Sequence, residues 1–390
     1  MHPPRRIPLL IIGGGIGGLA TALAVARTGN PAHVLERSPE FAELGAGLQL
    51  APNASRVLDQ VGILDAVHKQ AFFPRRLLMM DMVAGEEITT LALDQKFLDR
   101  YHYPYFVVHR GDLLSIEVDA CRTASDLITL ESNKEVVSIE DLGDGARVRC
   151  ADGSVYECDA LVGADGLWSL TRKTVHDDGD PICAEYVAYR GVIAMEDVPP
   201  HPGLDSMTIW IGPEKHFVQY PLRRREICNQ VAVFRSHRYR PGSDDWGTAD
   251  ELDEQFAETC DYVRRALTLM ERGRHWAMHD RLPIPNWTRS RITLLGDAAH
   301  PMLQYLAQGA CQALEDSVWL ADSLARHSSD VPSALRAYQE ARSPRTARVQ
   351  REARAFGEIL HVPNAPANIR KALAAHADNE FYFFDWLYGA

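Results

Sequence analysis

Residues 11–18 read Ile-Ile-Gly-Gly-Gly-Ile-Gly-Gly, and their surroundings decide the fold. Upstream, Ile7-Pro8-Leu9-Leu10-Ile11-Ile12 is an apolar run bounded by glycine, the pattern of a strand buried on both faces. Downstream, residues 16–28 are small and apolar and predict a helix. Residues 32–35 (Ala-His-Val-Leu) predict a second strand that ends at Glu36. Strand, glycine turn, helix, strand and acid form the first unit of a dinucleotide-binding fold. The three glycines of the motif act differently. Gly13 permits the tight turn, Gly15 admits a pyrophosphate to the backbone, and Gly18 lets helix and strand pack closely. Glu36 is placed to accept hydrogen bonds from ribose hydroxyls. Ile16, at the head of the helix, and Arg37, beside the acid, complete the candidate nucleotide contacts. The turn alone does not choose between NAD and FAD, because both share the adenosine diphosphate half.

Composition narrows the class. The 390 residues are 46% hydrophobic and 24% charged, which suits an ordinary globular chain of two domains, or one domain with a large insertion. Net charge is −12, and the basic runs at residues 4–6 and 223–225 are short, so no nucleic-acid face is expected. Seven cysteines without CxxC spacing fit reduced thiols in a cytoplasmic protein and show no metal cluster. The N-terminal apolar run is too short for a signal peptide, and no run approaches the ~18 residues of a membrane span.

Further along, residues 41–64 read as a glycine-rich turn and then a helix, and 105–108 as a strand. Residues 127–137, 146–150 and 154–156 read as a strand meander, and 160–166 as a buried strand ending in a turn. Residues 186–235 alternate as an antiparallel sheet. Residues 250–271, 309–327 and 333–360 read as helices, and 291–295 as a strand. No internal repeat interrupts this order.

Three fingerprints carry a resemblance: Gly13-Gly14-Gly15-Ile16-Gly17-Gly18, Asp165-Gly166-Leu167-Trp168-Ser169-Leu170-Thr171-Arg172, and Gly296-Asp297-Ala298-Ala299-His300-Pro301. The chain resembles the single-component FAD-dependent aromatic hydroxylases, with the para-hydroxybenzoate hydroxylase-like fold. The resemblance implies an α/β chain: a Rossmann-like FAD-binding domain with an inserted antiparallel substrate domain and C-terminal helices. The divisions expected are 1–70, 100–180 and 276–345 for FAD, 71–99 and 181–275 for substrate, and 346–390 for the C-terminal helical segment. It further implies that Asp297 binds the ribityl chain and that Pro301 and the backbone after it run under the flavin ring. Backbone N–H groups around Gly309 and Ala310 would face the flavin pyrimidine, and Arg110 would reach the FAD phosphates. Asp165 would serve FAD and nicotinamide binding. Asp165 also reads as a plain turn residue, Arg110 as a surface ion-pair partner, and His300 as a residue that shapes its loop. Gly45-x-Gly47 lacks a third glycine, so NADH or NADPH is expected to dock transiently rather than on its own domain. The Trp-x-Trp-x-Ile-Pro signature of flavin halogenases is absent.

The resembled reaction uses NAD(P)H and O2 to hydroxylate an electron-rich ring. A phenol with pKa ~10 is only ~0.1% ionised at pH 7, a penalty of about 4 kcal/mol, so a proton acceptor near its oxygen is expected. Period two places His216, Val218 and Tyr220 on one strand face, and Gln304 follows the flavin motif. Gly-Pro-x-x-His-Phe-x-Gln-Tyr-Pro-Leu, Leu-Gln-Tyr-Leu-Ala-x-Gly-Ala and the ending Asp385-Trp386-Leu387 resemble the 3-hydroxybenzoate 6-hydroxylase branch. By that resemblance His216 accepts the phenol proton, Gln304 orients the oxygen, Tyr220 joins them, and 3-hydroxybenzoate becomes 2,5-dihydroxybenzoate. Core packing for His216 and Tyr220, and loop structuring for Gln304, stay open. So do salicylate or hydroxynicotinate as substrate, a reductase or dehydrogenase on this fold, and a flavin-binding module without catalysis. No partner for a substrate carboxylate stands out. The aromatic C-terminal segment from Asp378 is expected to pack on the main body or at a homodimer contact.

Overall fold

The structure is a computed structural model and describes residues 6–42, 46–243, 245–327 and 329–389; Arg5 and Gly45 lie outside them. The chain opens with β1 (Ile7–Ile12), α1 (Ile16–Arg27) and β2 (Ala32–Leu35). Then come β3 (Gly47–Leu50), α2 (Pro52–Gln60), α3 (Leu64–Gln70), β4 (Arg76–Asp81), β5 (Glu87–Ala92), α4 (Gln95–Tyr101), β6 (Phe106–His109) and α5 (Arg110–Thr123). A run of strands follows: β7 (Ile128–Glu131), β8 (Val136–Asp141), β9 (Ala146–Cys150) and β10 (Val155–Gly163), closed by α6 (Leu170–Val175). The next stretch holds β11 (Ile182–Ala194), β12 (Met207–Gly212), β13 (Lys215–Leu222), β14 (Ile227–Arg235), α7 (Ala249–Phe256) and α8 (Asp261–Leu267). The chain ends with β15 (His275–Asp280), β16 (Thr288–Arg289), β17 (Ile292–Leu294), α9 (Gly309–Arg326), α10 (Val331–His361), α11 (Ala365–Ala374) and α12 (Tyr382–Tyr388).

Two sheets organise these elements. The first runs β16-β17-β10-β1-β2-β7, with β9 and β8 added beside β10. Its centre is parallel: Ile11 pairs with Val162 on one side and Val34 on the other. All three are fully buried, as a parallel sheet covered on both faces requires. Gly13 turns the chain at φ +110°, and a Cβ there would lie 2.2 Å from the Ala164 carbonyl oxygen. A Cβ on Gly18 would lie 2.0 Å from the Gly13 carbonyl oxygen, so α1 sits against its own strand. A Cβ on Gly17 would meet Ala313 of α9 at 3.1 Å.

The second sheet runs β15-β11-β14-β13-β12-β4-β5. It is antiparallel except where β12 pairs in parallel with β4. Its back packs Trp210, Phe217 and Phe234 against Phe256 of α7 and Val263 of α8. Its front carries His216, Val218 and Tyr220 toward a cavity. The alternation of β13 is therefore covered on both faces.

Four readings of the sequence differ from the structure. Residues 47–50, read as part of a turn, form β3, paired with β6; four residues next to glycine give too short a period to recognise. The single helix expected over 250–271 is two, broken before Asp261. β15 pairs with β11 in the second sheet, so a division at residue 275 separates it from its own partner. α10 runs unbroken from Val331 to His361 across residue 345. All seven cysteines are free thiols, and among the described residues no helix is long and apolar enough to cross a membrane.

Candidate active site

A cavity of about 1690 Å³ runs from the glycine turn, past the N-terminus of α9, to the front of the second sheet. At the first end, no atom lies within 4 Å of a Cβ placed on Gly15, so the backbone there is open to the cavity. Glu36 holds the turn closed: its Oε2 accepts from Gly14 N and its Oε1 from Ser38 N, each at 2.8 Å. Each carboxylate oxygen has a second lone pair left for a ligand hydroxyl. Gly13, Ile16, Glu36, Arg37 and Arg110 line this end, whereas Gly18 is spent on packing.

Midway, Asp297 projects its carboxylate into the cavity from the one-turn helix Gly296–Ala298. Its Oδ1 lies 3.9 Å from a Cβ placed on Gly309. Gly309 and Ala310 begin the 18-residue α9, whose free N–H groups and dipole favour negative charge there. A buried network fixes this loop from behind. Asp316 accepts from Gly296 N at 3.0 Å, pairs with His300 Nε2 at 2.6 Å and accepts from Arg342 Nε at 2.7 Å. Burial alone would push the Asp316 carboxyl up, but His300 and Arg342 outweigh it and hold it below its ordinary range. Arg172, fully buried, donates to the carbonyls of Ala298 and Ala299 at 3.0 and 2.8 Å. The second fingerprint thus braces the third.

Two expected cofactor contacts stand differently. Pro301 is buried, its carbonyl accepts from Gln350, and Met302, which follows it, lines the cavity. Asp165 reaches the cavity edge, but its carboxylate accepts from Ser169 Oγ at 2.5 Å and from Thr171 N at 2.9 Å, which caps α6. His300 serves Asp316, as a loop-shaping residue does.

The far end gathers the polar groups expected to do chemistry. His216 is buried; its Nδ1 lies 2.9 Å from His361 Nε2 and its ring meets Tyr305 edge-on at 5.6 Å. Burial, then His361, drives its pKa well below the usual histidine value, so the ring is neutral. Tyr220 lies against Gly47, where a Cβ would fall 2.4 Å from its ring. Burial pushes the Tyr220 phenol up, opposed by Arg190. Gln304, next to Tyr305, accepts from Arg190 Nη2 at 2.5 Å.

Arg190, Tyr305, Gly47 and His361 escaped the sequence reading. Arg190 had a signal: one cation in the apolar alternation of β11. Its strand register places it beside Val231, which in turn pairs with Val218, all on the cavity face. Its Nε is buried with no hydrogen-bond partner among the described residues. Burial lowers its pKa, Tyr220 opposes that shift, and Arg110 adds to it. A partly buried guanidinium with spare donors, and with no carboxylate paired to it among the described residues, can take an anionic ligand.

Residues 6–353 match the FAD binding domain family. The chain is 41% identical over 387 residues to 3-hydroxybenzoate 6-hydroxylase 1 of Aquipseudomonas alcaligenes, covering 98% of this chain and 97% of that one. It is 37% identical over 386 residues to 3-hydroxybenzoate 6-hydroxylase of Klebsiella oxytoca, covering 97% and 96%. Among solved structures, Klebsiella pneumoniae HpxO complexed with FAD and uric acid superposes with a TM-score of 0.82 at 26% identity, over 95% of this chain and 93% of that one.

Proposed function

The chain belongs to the FAD binding domain family and is an FAD-dependent aromatic monooxygenase, and from that premise we propose that it hydroxylates 3-hydroxybenzoate at carbon 6. That carbon is para to the hydroxyl, and the product is 2,5-dihydroxybenzoate. The observation that carries the reading is the convergence of neutral His216, Gln304 and the cation Arg190 at one end of a cavity whose other end is a nucleotide cradle.

The residues present fit FAD. The open backbone at Gly13 and Gly15 would take the pyrophosphate with Arg110 nearby; Ile16, Glu36 and Arg37 would hold the adenosine. Asp297 would accept from the ribityl hydroxyls. The N–H groups of Gly309 and Ala310 would donate to the flavin. Asp165 shapes its turn, and Pro301 holds the loop through Gln350. When bound, the flavin transfers electrons from NADH to O2 and supplies one electrophilic oxygen atom.

The chain's own residues do the rest. Arg190 takes the substrate carboxylate with its spare donors. Because Gln304 Oε1 is committed to Arg190, its Nε2 is the group left to donate to the substrate's phenolic oxygen. His216 Nε2 has no protein partner among the described residues and accepts the phenol proton. Tyr220 walls the ring beside Gly47. The reading includes a homodimer, supported by the exposed rings of Tyr382 and Phe383 on α12, and a cytoplasmic setting, supported by the free thiols.

The test is NADH oxidation in air with 3-hydroxybenzoate, with NADPH in parallel, peroxide measured and product identified by chromatography. Product matching NADH consumed supports the reading. Peroxide alone, or product only from salicylate or a hydroxynicotinate, overturns the substrate.

A further inference from the structure

His361 is the last residue of the 31-residue α10, far in sequence from the strand it meets. Its ring lies nearly parallel to that of His216, with 19° between the planes and centroids 5.1 Å apart, and meets it edge to edge: its Nε2 is 2.9 Å from His216 Nδ1. Tyr305 closes one side edge-on at 5.3 Å, and Tyr186 of β11 stacks on the other at 4.8 Å. The charged groups that reach this corner, through Tyr186, are Glu214, Arg235, Glu185 and Glu358. None bonds either imidazole: among the described residues each ring's hydrogen-bond partner is the other ring.

Two nitrogens at that distance share one proton. If His216 Nε2 accepts from the substrate, the shared proton must sit on His216 Nδ1 and point at His361. The tautomer of His216 is therefore set by His361.

We propose that His361 is a positioning residue that holds His216 ready and receives, through it, the proton leaving the substrate's hydroxyl. The inference rests on the reading of His216 given above. The substrate O–H bond breaks as His216 Nε2–H forms; His216 Nδ1–H breaks as His361 Nε2–H forms; the Nδ1 proton of His361 passes to water. Both rings end neutral. As the substrate ring gives electrons to the incoming oxygen atom, its O–H becomes far more acidic than a free phenol, so a weak base suffices. Burial lowers the His361 pKa to about 4, which keeps the pair unprotonated between turnovers. The carbonyl end of α10 favours the positive charge that develops on His361 in transit.

The experiment compares His216→Ala, His361→Phe and His361→Gln in the FAD-loaded protein, reading product per NADH, peroxide and the pH profile with 3-hydroxybenzoate. The Phe variant keeps the stack with Tyr186. The Gln variant keeps an acceptor for His216 Nδ1 but relays nothing. The expected result is a loss of product per NADH in all three, about 10–100-fold for the His361 variants, partly recovered with rising pH. In the unmodified protein, the hydroxylation rate in H2O/D2O mixtures should show more than one proton in flight. Loss in His216→Ala with full coupling in both His361 variants overturns the relay and leaves the base. Full coupling in His216→Ala overturns both. A single-proton dependence in the unmodified protein overturns the relay on its own.

Discussion

Arg190 Nη2 donates to Gln304 Oε1 across 114 positions of sequence, tying the second sheet to the loop that precedes α9. The bond decides which end of the Gln304 amide is free, and among the described residues no carboxylate pairs with the rest of the guanidinium. An aromatic acid brings the carboxylate that the site lacks.

Arg190→Met is therefore expected to raise KM for 3-hydroxybenzoate by about 10–100-fold, from the ~1.5–3 kcal/mol of a hydrogen bond to a charged group. FAD content should be unchanged. A substrate titration of the flavin absorbance should show a weakening of Kd in the same direction. An unaltered KM would remove Arg190 from the carboxylate site.

Gly47→Ala places a methyl 2.4 Å from the Tyr220 ring. The backbone cannot retreat easily, because Gly47 N donates to Asn229 Oδ1 at 2.7 Å. Overpacking of this kind costs about 1–3 kcal/mol. Urea unfolding should show that loss, and peroxide per NADH should rise because Tyr220 moves into the substrate's place. Wild-type coupling would show that the ring has room to yield.

Asp316→Asn removes the carboxylate that buried His300 and Arg342 share and leaves Arg342 with Glu315 alone. Breaking a buried pair from one side costs about 3–5 kcal/mol. The single amide oxygen of asparagine cannot accept from both Gly296 N and Arg342 Nε, so the loop loses one of these anchors and flavin fluorescence should report FAD release well below the global unfolding transition. Simultaneous loss of FAD and fold would show that the network supports the whole chain rather than the loop.

The two histidines make stability depend on acid. Free histidine titrates near 6.5, whereas His361 in the folded chain titrates at about 4 and His216 also lies low. Between those values the unfolded chain binds protons that the folded chain refuses. Stability therefore falls as pH drops from about 6.5 to about 4, and this contribution is spent below that. His361→Phe should reduce the loss over this window by on the order of 2–3 kcal/mol in urea melts at stepped pH. An identical pH slope in variant and parent would mean that His361 is solvated when folded.

The Rossmann-like half is legible because local rules produce it. A buried parallel strand is a run of bulky apolar residues, a turn at φ +110° needs Gly13, and α1 packed on its strand needs Gly18. Period two also reads the cavity face of β13 correctly, since His216, Val218 and Tyr220 all reach the cavity. The outcome differs where an element is short or its partner remote. β3 has four residues and is fixed by β6, and β15 takes its place from β11.

The sequence by itself determined the nucleotide fold, the order of its fingerprints and the candidate groups His216, Gln304, Asp297 and Glu36. Only the tertiary structure decided what those groups face: Arg190 for Gln304, His361 for His216, and the helix cap for Asp165. Periodicity and glycine spacing act over a few residues and survive in the linear text. The direction of a buried hydrogen bond depends on which distant strand or helix end supplies the partner, and that is settled when the sheets and helices close around the cavity.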